Sequence, residues 1–193
     1  GRVTPFPYNI QLGQHQLAKI CQERLAALSN AEVRFGVTVI SLTQDAKGVT
    51  VILSNGEELR ARWVVGGDGA GSPVRKALGL PFEGFTWDER FMVISTSFDF
   101  QTRGHAKNVY LADPDQWATL FQMPGEGTPY WRIVIPTDPS IPEEVIGAPD
   151  AVEAWLQSFE PRDEPYDQLY NNFYKVHQRV ARNFRSGRVV LAG

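Results

Sequence analysis

The sequence predicts a mixed α+β chain, in which a helix and a three-stranded meander precede a mostly antiparallel sheet, and three observations carry that prediction. Near the start, Leu17, Cys21, Leu25 and Leu28, with Ile20 beside them, make one apolar stripe at helical spacing. Three runs rich in β-branched residues follow, at 37–42, 49–53 and 59–65. From Phe85 the texture changes to aromatic-rich strands split by turn clusters, with a single helical pattern among them.

In chain order, Thr4 to Asn9 reads as extended, because Pro5 and Pro7 bias the residue before each away from helix. The stripe predicts a helix over about 11–28. Gln14 lies on the same stripe one turn earlier, and a polar residue facing inward there needs a buried partner. Cys21 reads as core filling. The meander turns first at Asp45-Ala46-Lys47-Gly48 and again at Asn55-Gly56, a hairpin signal whose type I′ form needs positive φ at both positions. In its third strand Leu59, Ala61, Trp63 and Val65 alternate with Glu58, Arg60 and Arg62, so one face is wet. That strand empties into Gly66-Gly67-Asp68-Gly69-Ala70-Gly71-Ser72. A short helix then runs from Pro73 to Leu78, with proline suited to its first turn.

In the aromatic part, strands are predicted at 91–100, 108–111, 117–123 and 130–135, with a turn at Pro124-Gly125-Glu126-Gly127. Asp150 and Glu153 have capping-box spacing, and Val152, Trp155, Leu156 and Phe159 make the inner face of the helix they open. A long strand over 169–180 leads through Arg185-Ser186-Gly187 to a terminal strand at Arg188-Val189-Val190-Leu191. The chain divides on this reading into 1–84, 85–180 and 181–193.

Composition narrows the function. The 193 residues carry a net charge of −3, which gives no electrostatic reason to expect nucleic acid or an anionic membrane as partner. One cysteine excludes an internal disulfide framework and permits a reducing, cytoplasmic setting. Three scattered histidines offer no metal-ligand spacing, so no metal site is expected. No apolar run approaches the roughly 20 residues of a membrane span, and no signal-peptide pattern is present. The chain opens without methionine and stops one glycine after a strand, which reads as a piece of something longer.

The glycine loop is the informative motif. A strand–loop–helix turns backbone N–H groups and the positive helix end toward a ligand, which suits a pyrophosphate. The dinucleotide spacing G-x-G-x-x-G fails here, because Ser72 stands where the third glycine would be, counting from Gly67 and Gly69. Asp68 would repel a phosphate directly. An acid there suits a sugar hydroxyl, a water or a backbone amide, so the loop reads as an accessory wall of a nucleotide site.

These residues carry a resemblance. Gly67-Asp68-Gly69-Ala70-Gly71-Ser72-Pro73-Val74-Arg75 resembles the "DG" motif of the flavin-dependent aromatic hydroxylases of the p-hydroxybenzoate hydroxylase type. Gly187-Arg188-Val189-Val190-Leu191-Ala192-Gly193 resembles the approach to that family's "GD" motif, and Gly13-Gln14 resembles its marker glutamine near FAD. The resemblance implies a partial FAD-binding domain in 1–84, an antiparallel substrate domain in 85–180 and a return strand in 181–193. It implies FAD as cofactor, NADH or NADPH as reductant, and hydroxylation of a phenolic substrate through a flavin hydroperoxide. Gln14, Asp68, Gly69 and Arg75 would lie toward the cofactor, with Arg75 tying the loop down. The family's N-terminal glycine fingerprint is missing, so this piece alone is expected to bind FAD poorly.

The substrate wall is expected on the sheet. Thr119, Phe121 and Met123 share one strand face, and Arg132 and Val134 alternate with Trp131, Ile133 and Ile135 on the next. Phe121, Met123 and Arg132 line an aromatic pocket on one reading; on the other the apolar pair is ordinary core and Arg132 is solvated. Family members that bind benzoates carry an arginine where Met123 stands, which leaves room for a more apolar phenol. His177 reads as a structural residue, and no catalytic residue is assigned. Alternatives of the same scaffold are a halogenase or a prenyl reductase, and of another class a non-catalytic module holding a small apolar ligand.

Overall fold

The computed structural model describes residues 4–6, 8 and 10–193. Of the stretch expected to be extended, Pro7 and Asn9 lie outside the described residues, and Thr4, Pro5, Phe6 and Tyr8 belong to no helix or strand. The elements run α1 (Gln14–Ala26), β1 (Val39–Gln44), β2 (Val49–Leu53), β3 (Glu58–Ala61), β4 (Val64–Gly66), α2 (Pro73–Ala77) and β5 (Phe82–Thr96). After a 3₁₀ turn at Phe100–Arg103 come β6 (Asn108–Leu111), β7 (Ala118–Met123), β8 (Tyr130–Thr137), α3 (Glu143–Ile146), α4 (Pro149–Phe159), β9 (Gln168–Ala181), β10 (Arg185–Ser186) and β11 (Val189–Leu191). The chain divides into two units, Leu28–Thr86 with His177–Gly193, and Gly1–Ala27 with Trp87–Val176. The helix α1 therefore groups with the later sheet, whereas the sequence placed it with the meander.

In the first unit, β1, β2 and β3 form an antiparallel sheet in that order. Asp45 shapes the first turn by accepting the amides of Lys47 at 2.7 Å and Gly48 at 3.0 Å. The second turn is not type I′. Asn55 has negative φ, and only Gly56, at φ 84°, is left-handed. The Gly56 amide bonds the Leu53 carbonyl, and the Leu53 amide bonds that of Glu57. This is the three-residue hairpin in which glycine alone supplies the left-handed position.

The strand expected over 59–65 is two strands in two sheets. After β3 the chain bends at Arg62, and β4 pairs in parallel with β11, which β10 flanks. Trp63 and Val65 are consequently exposed, and the expected alternation breaks at the bend. Leu42, Val49, Val51, Leu53, Val74 and Val189 form the core of this unit. Gly66 allows α2 to approach the strands, since a Cβ there would meet Val74 at 2.9 Å and Leu191 at 3.1 Å.

In the second unit the sheet order is β6-β7-β8-β5-β9. Its inner face (Met92, Ile94, Leu120, Trp131, Ile133 and Ile135) packs on Val152 and Leu156 of α4, as the period-two and helical patterns predict. The strand expected over 91–100 instead begins at Phe82 and ends at Thr96, and Phe100 turns into the core. The capping box of α4 does not form. Pro149 occupies the first turn behind Ala148, so Asp150 is already inside the helix. Glu153 instead accepts the Tyr166 amide at 3.0 Å and Gln157 at 2.9 Å.

The stripe of α1 is not a core face here. Leu17, Ile20 and Leu25 are 38–51% exposed, Cys21 is exposed rather than core filling, and no residue of the helix is buried. Among the described residues nothing covers that stripe. The polar N-terminus makes the attachments: Gln16 accepts the Gly13 amide at 3.1 Å and donates to the Pro124 carbonyl at 3.3 Å.

Candidate functional site

Chain direction alone places the glycine loop between β4 and α2, and side chains then fix its shape. Ser72 Oγ donates to Asp68 Oδ1 at 2.6 Å, and Asp68 Oδ2 accepts the Val74 amide at 3.0 Å. Both carboxylate oxygens are thus spent on the start of α2, whose first-turn amides would otherwise be unsatisfied. Partial burial pushes the Asp68 carboxyl up, but the Ser72 and Val74 hydrogen bonds and the nearby Arg75 charge outweigh it and hold it below the usual carboxylate range. Of the expected partners for this acid the fold supplies a backbone amide, and it adds a serine hydroxyl that was not expected. Ser72 was missed as a site residue, although serine directly before a first-turn proline is a readable N-cap signal.

Arg75 ties the loop from the other side. It donates to the Leu80 carbonyl at 3.0 Å and the Ala70 carbonyl at 3.2 Å, and its guanidinium lies 4.7 Å from the Phe82 ring centre. Asp68, Gly69 and Arg75 line a cavity of about 230 Å³ with Phe82, Phe184 and Leu191. A Cβ at Gly67, Gly69 or Gly71 would meet nothing within 4 Å, and Gly69 has φ 74°. The amides of Gly69, Ala70 and Gly71 have no acceptor among the described residues. An uncrowded row of free N–H groups beside a carboxylate whose two oxygens are already taken up by Ser72 and Val74 fits a nucleotide cofactor.

Gln14 belongs to the other unit, at the start of α1. It is exposed and its side chain makes no hydrogen bond among the described residues, so the buried partner expected for it is absent there. Its neighbours Gln11 and Gln16 do have partners, Asn108 at 2.9 Å and the Pro124 carbonyl at 3.3 Å. His177 Nδ1 lies 2.8 Å from Thr86 Oγ1 between β9 and β5, a structural hydrogen bond.

The outer face of the five-stranded sheet is rich in aromatic rings. Register puts Phe121 opposite Arg132 and Asn108, Met123 opposite Tyr130, and Ser95 opposite Arg132. Phe91 stacks on Tyr174 at 5.4 Å and contacts Trp117 at 5.7 Å, and Tyr110 meets Phe121 edge-on at 6.1 Å. Phe121, Met123 and Arg132 are therefore neighbours on one face, with Met123 buried at 7% exposure. Tyr170 was missed. It reaches over β5 so that Arg132 Nε and Nη2 donate to its hydroxyl at 3.1 and 2.6 Å. Burial pushes that hydroxyl up, but the Arg132 hydrogen bonds and the Arg132 charge leave it below the usual phenol value. Tyr130 and Tyr174 go the other way, burial raising each.

This strand–loop–helix and the sheet beyond it define a class of flavin-binding protein: the chain belongs to the FAD binding domain family, whose model matches residues 3–193. Particular relatives narrow that class. The chain is 36% identical to para-nitrophenol 4-monooxygenase of Pseudomonas sp. (strain WBC-3) over 195 residues, 98% of this chain and 48% of the relative. It is 33% identical to 6-hydroxy-3-succinoylpyridine 3-monooxygenase of Pseudomonas putida (strain DSM 28022 / S16) over 97% of its own length and 48% of the relative's. The crystal structure of p-nitrophenol 4-monooxygenase PnpA from Pseudomonas putida DLL-E4 superposes with a TM-score of 0.88 at 35% identity, over 99% of this chain and 49% of that one. The chain spans about half the length of the curated relatives it matches.

Proposed function

We propose that the protein carrying this chain is an FAD-dependent monooxygenase that uses NADH or NADPH to hydroxylate a small aromatic substrate. One observation carries the reading: a chain of the FAD binding domain family, similar along its length to monooxygenases named for hydroxylated aromatic compounds, presents a sheet face lined with aromatic rings. When bound, FAD supplies the redox chemistry, taking electrons from the nicotinamide and activating dioxygen.

The chain's own residues bind and orient. Gly69 offers a free amide toward the cofactor, Asp68 and Arg75 hold the loop that presents it, and Gln14 is a further cofactor-binding residue of this reading. Phe121, with Met123 beneath the strand end and Arg132 opposite, forms the substrate wall, where aromatic faces exclude water and stack on a ring. No side chain here is assigned as an acid or base. The cytoplasm is the proposed setting, supported by the single exposed cysteine and by the absence, among the described residues, of a helix long and apolar enough to cross a membrane.

The test uses the full-length protein. Purified, it should be yellow and should consume NADH or NADPH faster when a phenol is added. A colourless protein indifferent to phenols overturns the reading.

A further inference from the structure

We propose that the free edge of β6 is an interface for a second copy of this chain, which pairs with it antiparallel about a twofold axis through Tyr110.

β6 (Asn108–Leu111) is an outer strand of the five-stranded sheet and pairs with β7. The Gln122 amide donates to the Lys107 carbonyl at 2.9 Å, and the register continues with Val109 opposite Leu120 and Leu111 opposite Ala118. An antiparallel ladder bonds every second residue, so Lys107, Val109 and Leu111 turn their backbone groups toward β7. Asn108 and Tyr110, with Ala112 next in the alternation, turn theirs outward. Among the described residues no backbone group meets them there. Gln11 reaches Asn108 through side chains alone, at 2.9 Å.

Natural edge strands are blunted by a lysine, a proline, a bulge or an inward charge within the strand. β6 has none of these: its four residues are uncharged and its register on β7 is unbroken. Tyr110 is 74% exposed and Leu111 38%. The opposite edge, β9, carries Lys175 and Arg179 within the strand. An apolar edge without such protection is a template for another strand.

The pattern selects a register. Outward residues must face outward residues, so a twofold axis passes through a residue and not between two. Centred on Tyr110, the pairing uses all three: Tyr110 exchanges bonds with its own copy, and Asn108 with Ala112 of the second copy. On the other side-chain face Val109 meets Leu111, and Lys107 meets Asp113. Lys107 has no carboxylate within ion-pair distance among the described residues. Asp113 spends Oδ1 on the amides of Asp115 and Gln116, at 2.8 and 3.0 Å, and keeps Oδ2 for a cation. Pro114 biases Asp113 toward extended backbone, which prolongs the edge that far. Symmetry doubles the contact into two opposite-charge pairs. An axis through Val109 would set Lys107 against Leu111, and one through Leu111 would set it against Asp115, inside the bend after Asp113. So short an edge forms a reversible dimer, not a permanent one.

The experiment uses the full-length protein and follows its mass by sedimentation from micromolar to near-millimolar concentration. A reversible dimer is expected, weakened by salt. Lys107→Asp sets like charges at both pairs and should weaken dimerisation about tenfold or more. Asp113→Lys should do the same, and mixing the two variants should recover the dimer, because each pair then joins opposite charges. Tyr110→Cys reads the register independently of charge. In a hydrogen-bonded pair the two Cα atoms lie about 5.5 Å apart, within reach of a disulfide. Mild oxidation should therefore link the copies, whereas Asp150→Cys, exposed on α4, should leave them unlinked. A protein that is monomeric across the range overturns the proposal. So does a dimer indifferent to Lys107→Asp, or one that Tyr110→Cys links no better than Asp150→Cys. Protection of the Asn108 and Tyr110 amides from hydrogen exchange in a monomer would also overturn it, because another part of the same chain would then cover the edge.

Discussion

The Ser72 hydroxyl donates to Asp68 at 2.6 Å while accepting the Arg75 amide at 2.9 Å, so one side chain joins the acid of the glycine loop to the first turn of α2. Asp68 adds its own bond to the Val74 amide. Removing the acid leaves that amide and the serine proton without partners. Asp68→Ala should therefore cost about 1 kcal/mol of stability, read by urea denaturation, as loss of a helix cap does. In the full-length protein it should also slow flavin reduction more than it weakens substrate binding; equal losses would contradict a role on the cofactor side.

The same acid predicts a pH dependence. Its carboxyl titrates below the usual value of 3.8 in the folded chain. A depressed folded pKa contributes stability that is present above the unfolded pKa and lost as pH falls through the folded one. Stability should thus begin to fall below about pH 4, and Asp68→Asn should flatten that part of the profile. Denaturation midpoints compared across acid pH would show whether the variant and the parent converge.

Arg75 bridges two carbonyls, those of Ala70 and Leu80, that lie on opposite sides of α2 in sequence. Lysine is a point donor on a flexible stem and cannot hold both. Arg75→Lys should cost about 1–2 kcal/mol and speed hydrogen exchange at the Ser72 and Val74 amides. Unchanged exchange there would show that the loop keeps its shape without the bridge.

Gly84 has φ 123°, and a Cβ on it would run into the Gln178 carbonyl oxygen of the neighbouring strand β9. Both the backbone conformation and the space exclude a side chain. Gly84→Ala should be among the severe substitutions, costing about 3 kcal/mol or more. Thermal unfolding and soluble yield measure it.

Leu156 is fully buried between α4 and the inner sheet face. Leu156→Ala leaves a cavity there and should cost roughly 2–5 kcal/mol. Measured by urea denaturation, a loss below 1 kcal/mol, on the order of a surface substitution, would mean that the helix does not seal this core.

Local pattern made much of the fold readable. β2 and β6 have the expected bounds, and α4 turns inward the four residues its spacing selects, because periodicity reports burial directly. The misreadings share a cause, which is a partner far away in sequence. Val64–Gly66 looks like the end of the meander until β11 is placed beside it. For Arg132 the sequence left two readings, a pocket lining and a solvated side chain, and could not show that the sheet order sets Tyr170 across one strand from it, 38 residues along the chain. Asp68 was readable as an acid suited to a sugar hydroxyl, a water or a backbone amide. That the amide belongs to Val74, and that a serine hydroxyl from Ser72 joins it, required the turn itself.

The parallel pairing of β4 with β11 also sets an order of events. Val64 meets Val189, a residue made long after it, and the whole of Trp87–Val176 is synthesised in between. Closing so long a loop is costly until native contacts compensate, and domains generally fold as units as the chain emerges. On a ribosome, β4 therefore waits unpaired while the intervening sheet can already form, and the glycine loop takes its final position only after the last strand is delivered. Timed proteolysis of stalled nascent chains should find Trp87–Val176 protected first, and the loop around Asp68 only once Leu191 has cleared the exit tunnel.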